Sequence, residues 1–536
     1  MFVREKTAKQ GGREYTYLQL VHNRRVDGKT RQKVLLSLGR KDKLDQDRID
    51  EMVKALAEFT TAKLQVIKQA EELDLEAIAT RRWGDLLVLD KLWKGVGLDR
   101  IIKRHLEERR FSSPLDVEAA IRAMVFNRCC DPRSKLGTYR WLKRKAYFPD
   151  GEGLKLHHFY RALDLLIGIK EELERDLYLQ LVDLFNLDLS VVFYDTTLVS
   201  YEGEGPEELM KWSRRKSYDF LLGLALTRDG IPFSHEVMPG NTTDSTTLKA
   251  WVEKLKGRFK IGRCIICADR GIVTWENLKF LEEEIPYLVG MPLRKFKEVN
   301  EGVLSTRGRY REVADNLMVK ETKVGGIRYL ICFNPKEARR KAAEREELIQ
   351  KLEEEIQSLR PAKEGHTKRI CELLSHRIKG KYLRELESGE LVIDRKAVKE
   401  EARYDGKFVL RTSEEELSGE ELALAYKELI RIEHSFRSIK SFVEIAPVYH
   451  WVERRVRAHV VVCVLAHLLE RLLERELRRA GSELSVFEAL EALEEVQAVD
   501  VVLQGRGYRL GTRPPAEAGE VFRILGMRAP RRIQEL

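Results

Sequence analysis

The chain has 536 residues, 43% hydrophobic and 34% charged, which is enough apolar material for three or more domains. Its 97 basic and 87 acidic side chains leave a net charge of +10, which permits nucleic-acid binding without requiring it, because clustering on one surface is what counts. No apolar run is long enough to cross a membrane and the opening MFVREKTAKQ has no apolar signal region, so a cytoplasmic protein without a membrane partner is expected.

Residues 1–44 carry alternating Tyr15-Thr-Tyr17-Leu-Gln-Leu and Lys33-Val-Leu-Leu-Ser-Leu around Asp27-Gly28, the pattern of a β-hairpin module. Residues 45–187 read as helical: a polar connector to about residue 80, then helical periods from Arg81 to Leu187, with Ser113-Pro114 opening one helix and Asp131-Pro132 separating two. Residues 188–292 turn β-rich. Leu-Ser-Val-Val-Phe-Tyr leads to Asp195 and Cys264-Ile-Ile-Cys-Ala leads to Asp269, two uninterrupted apolar runs expected to be central strands that end at their acids. Between them come a strand near Phe220–Leu226, a turn at Asp229-Gly230, a strand over 231–238 and a helix over 246–257, and a further strand covers Tyr287–Gly290.

Residues 293–407 read as an insertion. It begins with a strand-forming stretch that includes Tyr329-Leu-Ile-Cys-Phe and continues as a charged helix with Ile349, Leu352, Ile356 and Leu359 at heptad spacing. A turn at Pro361 and a return helix near Ile370–Ile378 complete a helical hairpin. Residues 408–447 re-enter the core at Phe408-Val-Leu-Arg and lead to a helix on which Tyr426, Glu433 and Lys440 are seven apart, with Arg437 four after Glu433, so all four project from one stripe. A second stripe, Ala425, Leu429, Ile432, Phe436, Ile439 and Val443, is the face expected to dock on a sheet. Residues 448–536 read as helical, rich in Leu and Arg to about 495, and offer a dimerisation surface.

Asp195, Asp269 and Glu433 are therefore the candidate site. In mixed α/β sheets functional groups gather at strand ends, so two adjacent strands can bring two carboxylates together and a helix can add a third. Phosphodiester cleavage needs positive charge beside both the attacking and the leaving oxygen, and carboxylates are the natural ligands for the Mg²⁺ that supplies it. Asp244 is the nearest rival ligand, but its place before an apolar helix pattern suits an N-terminal or supporting role. The seven cysteines, Cys129, Cys130, Cys264, Cys267, Cys332, Cys371 and Cys463, are scattered like reduced, buried thiols. Cys264 and Cys267 have the spacing of half a zinc site, but on a strand they face opposite ways and no second pair completes the set.

Read singly, an aspartate at a strand end is ordinarily a cap, and an acid and a lysine seven apart are ordinarily a solvated helix face. The basic clusters at Arg24-Arg25, Arg140–Lys145, Arg214-Arg215-Lys216 and Arg454-Arg455 are each ordinarily solvated too, with the case for DNA contact best for Arg214, Arg215 and Lys216. Joint occurrence in order carries more. Tyr194-Asp195-Thr196-Thr197, Pro239-Gly240-Asn241-Thr242-Thr243-Asp244-Ser245, Ala268-Asp269-Arg270-Gly271, Tyr426/Glu433/Lys440 and Val448-Tyr449-His450-Trp451 to Ala458-His459 together resemble the bacterial insertion-sequence transposases with a DDE triad on an RNase H-like core. The resemblance is to the class with a Y-x2-R-x3-E-x6-K signature and covers residues from about 190 to 460; the arginine position is Leu429 here, with Arg431 two places on.

The resemblance implies a multidomain α+β protein: an RNase H-like mixed α/β catalytic core interrupted by an insertion between the second Asp and the Glu, with an N-terminal β module and helical flanks. It implies catalytic and metal-binding roles for Asp195, Asp269 and Glu433, with Mg²⁺ as cofactor and Mn²⁺ able to substitute. It also implies phosphate contacts from Tyr426, Arg437 and Lys440. The partners it implies are double-stranded DNA, as terminal inverted repeats and as target, and a second copy of the chain on paired ends. Residues 45–187 then read either as the part that recognises DNA ends or as scaffold, since no stretch there spells a helix-turn-helix. Two alternatives of other kinds stay open: an RNase H-like nuclease that never joins ends, and a non-catalytic DNA-binding derivative.

Overall fold

The computed structural model describes the chain except residues 1, 11–12, 27–28, 45–74, 111–115, 186–189, 204, 260–263, 359–367, 504–505, 531–532 and 536. The expected turn at Asp27-Gly28, most of the polar connector, the helix start at Ser113-Pro114, and Leu359 with the Pro361 turn lie outside the described residues. The chain divides into two units, the first of Met1–Leu184, Ser200–Met210 and Arg437–Leu536, the second of Phe185–Val199 and Lys211–Phe436. It is a mixed α/β, multidomain protein with several separate sheets.

In the first unit, β1 (Phe2–Gln10), β2 (Arg13–Val26) and β3 (Lys29–Arg40) form an antiparallel sheet in that order, with Val21 and Leu35 buried. The strand β4 (Leu75–Arg82) then leads into helices, of which Val117–Cys130 is buried at every position from Val117 to Cys129. A helix that is covered all round needs partners for any charge it carries. Glu118 accepts from Trp93 Nε1 at 2.7 Å and lies 3.2 Å from Arg122 Nε. Asp116 caps the helix by accepting from the Ala119 amide at 3.0 Å.

The second unit is built on one ten-stranded sheet. Its strands are β5 (Val191–Ser200), β6 (Lys211–Trp212), β7 (Tyr218–Thr227), β8 (Pro232–Pro239), β9 (Ile265–Ala268), β10 (Tyr287–Met291), β11 (Arg311–Ala314), β12 (Leu317–Val324), β13 (Ile327–Phe333) and, after the short hairpin of β14 (Leu383–Glu385) and β15 (Leu391–Ile393), β16 (Lys407–Thr412). The order is β11-β12-β13-β16-β10-β9-β5-β7-β6, with β8 paired to β7. β5, β9 and β10 are parallel, as buried apolar strands separated by helices should be, and β16 runs antiparallel to both β10 and β13.

Several sequence expectations need correction. β5 does not stop at Asp195 but runs on to Ser200, because Leu198 and Val199 prolong the buried pattern past the acid. The strands β11–β13 extend the central sheet through β16 rather than standing apart from it, while the charged helix Pro335–Gln357, helix Lys368–Ser375, β14 and β15 share a small separate core of Ile349, Leu352, Leu373, Tyr382, Leu383 and Leu391. The C-terminal stretch is not helical throughout. After helices Glu453–Arg479 and Val486–Glu494 come β17 (Gln497–Leu503), β18 (Arg506–Gly511) and, beyond helix Ala516–Ile524, β19 (Ile533–Glu535), and these pair with β4 in the order β19-β18-β17-β4. Strands from opposite ends of the chain thus close one sheet.

Asp500 on β17 ties that sheet together. It is 5% exposed, accepts from Arg509 Nε of β18 at 2.6 Å, and is also bonded by Arg81 of β4. The two guanidiniums offset its burial and hold its carboxyl below the usual carboxylate range, so this contribution to stability is present above about pH 4 and fades as pH falls through the lowered value. Asp500→Asn should leave two arginines without their anion and cost about 3 kcal/mol of stability, read by denaturant unfolding at neutral pH. Its deficit should shrink as pH falls below the usual carboxylate range and the wild type begins to lose the same pairing.

Candidate catalytic site

The site starts from strand register. β5 and β9 pair in parallel from Val191↔Ile265 to Tyr194↔Ala268, so Asp195 and Asp269 are the next residues on neighbouring strands. Equal steps beyond a parallel pair keep the two side chains on one face of the sheet. The strand beneath Asp195 is anchored by Tyr194, whose ring stacks on Trp251 of helix Asp244–Phe259 at 4.3 Å and 15°. Gly223 on β7 leaves room for it, since a Cβ there would lie 2.8 Å from the Tyr194 hydroxyl.

Asp195 is the electrostatic centre. Burial drives its carboxyl up to about 7, and the negative charges of Asp269, Asp244 and Glu433 push the same way, against one stabilising bond from the Thr196 backbone. Four acids from four separated chain segments therefore act on one another. Asp244 begins helix Asp244–Phe259, accepts from Thr196 Oγ1 at 2.7 Å, and pairs with Arg214 Nη1 at 2.5 Å. Its second oxygen would be 3.8 Å from a Cβ on Gly271, in the turn just after Asp269. Among the described residues no group of three or more His, Cys, Asp or Glu side chains is drawn together closely enough to hold a metal ion. The acids act on the Asp195 charge without forming a closed ligand shell among the described residues.

The helical stripe is different from its expectation. Tyr426 lies on helix Gly419–Lys427 and Glu433 on a separate helix, Ile430–Ser441. Between them the backbone tightens into i to i+3 bonds, Leu429 N to Tyr426 O at 3.0 Å and Ile432 N to Leu429 O at 3.0 Å, which turns Tyr426 out of line with Glu433. The Tyr426 hydroxyl instead donates to Asp269 Oδ1 at 3.2 Å, and its burial beside that carboxylate pushes the phenol well above its ordinary value. Glu433 is exposed, while Leu429, Ile432, Phe436, Ile439 and Val443 are all buried. Arg437 and Lys440 follow on the same helix but belong to the first unit.

Arg214, Arg215 and Lys216 form the turn between β6 and β7. Buried Asp219 closes its base by accepting from Ser213 Oγ and, at 2.8 Å, from Ser217 Oγ, and Arg215 Nη1 donates to Leu198 O at 3.2 Å. Gly240 packs under this turn, where a Cβ would lie 2.0 Å from Asp219 O. Cys267 is buried within β9 and Cys264 is buried just before it, and all seven cysteines are free thiols.

Gly290 was not singled out by the sequence. A Cβ at this position of β10 would lie 2.2 Å from the Tyr426 hydroxyl and 3.0 Å from Cζ, so only glycine lets the phenol reach Asp269. Gly290→Ala should cost about 2 kcal/mol. In a Tyr426→Phe background the same substitution should cost clearly less, because the obstructing oxygen is gone; equal costs in the two backgrounds, read by denaturant unfolding, would contradict the packing argument.

Residues 3–70 match the model described as IS1634 family transposase, N-terminal domain, and residues 186–469, more than half of the chain, match the Transposase DDE domain. No curated protein matches significantly. A cryo-EM structure of the piggyBac transposase synaptic complex with hairpin DNA is similar at 10% identity over 77% of this chain and 80% of that one, with a TM-score of 0.37, too loose a likeness to support any inference.

Proposed function

The chain belongs to the insertion-sequence DDE transposases, and from that premise we propose that Asp195, Asp269 and Glu433 are its catalytic triad, on an RNase H-like core formed by residues 188–292 and 408–447 with 293–407 as the insertion. The single observation that favours this assignment is the β5–β9 register, which sets Asp195 beside Asp269, with the Asp195 carboxyl raised to about 7 by burial and by acids that include Glu433. A half-buried carboxyl that faces other acids is costly unless a cation joins it, so the donor set suits a hard divalent ion. The triad would hold Mg²⁺, or Mn²⁺ in its place, which when bound polarises the phosphodiester and makes the attacking water a stronger nucleophile.

The chain's own residues have distinct tasks in this reading. The Tyr426 hydroxyl fixes the orientation of Asp269. Thr196 and Arg214 hold Asp244 beside the triad as a supporting acid. Arg214, Arg215, Lys216, Arg437 and Lys440 supply positive charge for phosphates of the bound DNA. The reaction is hydrolysis at the element end, which frees a 3′-hydroxyl, followed by attack of that hydroxyl on target DNA with loss of the target strand's own 3′ oxygen. Residues 1–187 recognise the terminal inverted repeats, and two copies of the chain hold the paired ends.

A plasmid carrying the element's own terminal repeats tests this. With Mg²⁺ the wild type should nick at the repeat ends and join them to a second plasmid, and EDTA should stop both steps. Asp195→Ala, Asp269→Ala and Glu433→Ala should each abolish nicking while retaining repeat binding, whereas Asp244→Asn should slow it without abolishing it. Wild-type nicking by the triad variants overturns the assignment, and nicking without joining identifies a nuclease that lacks strand transfer. Lys440→Ala should weaken repeat binding and reduce the slope of log affinity against log salt by about 0.9, the value of one lost phosphate contact.

A further inference from the structure

The first unit contains a cavity of about 500 Å³ that the triad does not use, lined by the start of helix Lys135–Arg144 on one side and by residues 444–459 on the other. Two buried cations face it. Lys135 is 4% exposed and has no hydrogen-bond acceptor and no carboxylate among the described residues. Arg128 is 6% exposed and, among the described residues, donates only to carbonyls, to Glu444 O at 2.7 Å, Arg133 O at 2.8 Å and Val443 O at 3.4 Å, which hold the guanidinium in place without neutralising it. Buried cations without an anion are costly, and here two lie close enough to repel each other. Burial and that repulsion lower the Lys135 amine to about 7.

The rest of the lining favours an anion too. Ser134 caps the helix by accepting from the Gly137 amide at 3.2 Å, so the positive end of the helix opens on the same cavity. The remaining groups are already committed elsewhere. Arg455 is paired with Asp164 at 2.8 Å and lies over the Tyr160 ring, and His459 Nε2 bonds Ile445 O at 3.0 Å while its Nδ1 is buried without a partner. Glu444 is the acid in the lining, and it is exposed. At the rim stand two aromatic side chains with little cover, Tyr449 at 57% and Trp451 at 70% exposure.

We propose that this cavity is a phosphate subsite for a single DNA strand, with Lys135 and Arg128 on one phosphodiester and Trp451 or Tyr449 stacking against an adjoining base. The choice of DNA rests on the family reading above; the anion site rests on the two unneutralised cations. The volume suits one nucleotide and not a stacked base pair, so the part of the ligand inside it is unpaired. Base stacking on exposed aromatics beside a cationic pocket is the usual chemistry of sequence-tolerant single-strand binding.

The test is fluorescence anisotropy of a labelled hexathymidylate on the full chain in EDTA, across a salt series. Lys135→Met should weaken binding about tenfold and reduce the salt slope by about 0.7, as expected for one single-strand phosphate contact. Lys135→Arg should stay within about threefold of wild type, and Trp451→Ala should weaken binding with the slope unchanged. Because Lys135→Met removes an unneutralised buried amine, its melting temperature should equal or exceed the wild-type value; a lower one accompanying the lost binding makes the lysine structural and overturns the proposal. Wild-type affinity and slope in Lys135→Met also overturn it, as does inorganic phosphate displacing the strand at the strand's own concentration. Asp195→Asn should bind the hexamer normally in EDTA, so failure of the triad assignment, read by nicking, is distinguishable from failure here.

Discussion

The constraint on which the second unit depends is the parallel register of β5 and β9. It sets two aspartates one step beyond the Tyr194↔Ala268 pair, where like charges oppose each other. Side chains of opposite or no charge would be more stable there. The surrounding structure supplies what the acids remove: Val191, Val192, Phe193, Ile265, Ile266 and Cys267 are fully or almost fully buried, and Trp251 clamps Tyr194 directly before the first acid. Slipping one strand by a single residue would reverse every side chain on it, exposing apolar groups and separating the carboxylates together. The packing that stabilises the sheet is therefore the same packing that holds the acids in place.

The third acid arrives by a long route that stays tied to the sheet. After β10 the chain forms β11–β13, departs into the charged helical excursion, and returns as β16 between β13 and β10. Arg411 of β16 then donates to the Tyr287 hydroxyl of β10 at 3.0 Å and bonds Glu282, so the returning strand is fixed by side chains as well as by its ladder. Helix Gly419–Lys427 starts from a capping box at Ser418 and Glu421, and the break after Tyr426 lets one segment do two jobs. Its first helix directs a phenol to Asp269, and its second carries Glu433 outward on a buried apolar stripe.

How much of this could be read in the residues depended on whether local pattern and tertiary demand agreed. The apolar runs before Asp195 and Asp269 read as central strands because nothing polar interrupts them, and the stripe from Leu429 to Val443 is buried as its spacing implies. The helix break did not show, because Leu429 and Ile432 keep apolar periodicity across it whether the turn is α or tighter. β17 and β18 were hidden behind strongly helical neighbours, and their partner β4 lies more than 400 residues earlier, so no local signal could pair them. Gly290 in Tyr-Leu-Val-Gly-Met looks like a weak point in a strand until the Tyr426 hydroxyl is seen to occupy the space of its missing Cβ. No sequence pattern around Lys135 marks it, yet it is buried.

A net charge of +10 across 97 basic and 87 acidic side chains conceals where charge is left unbalanced. Many ionic groups in both units sit in surface pairs such as Lys351–Glu347 and Arg478–Glu474, whose worth is small and whose number says little about function. Asp195 and Lys135 are different: the first is half-buried, the second buried, and each faces charge of its own sign, with values moved to about 7 from opposite directions. Such a group lowers the stability of the free protein, and any ion of opposite charge that enters relieves the cost and gains it as binding free energy. Each unit therefore holds a local electrostatic deficit of one sign, negative where β5 meets β9 and positive in the cavity beside Arg128. A phosphodiester with its divalent counter-ion carries both of the complementary charges, so the DNA substrate proposed above would relieve both deficits.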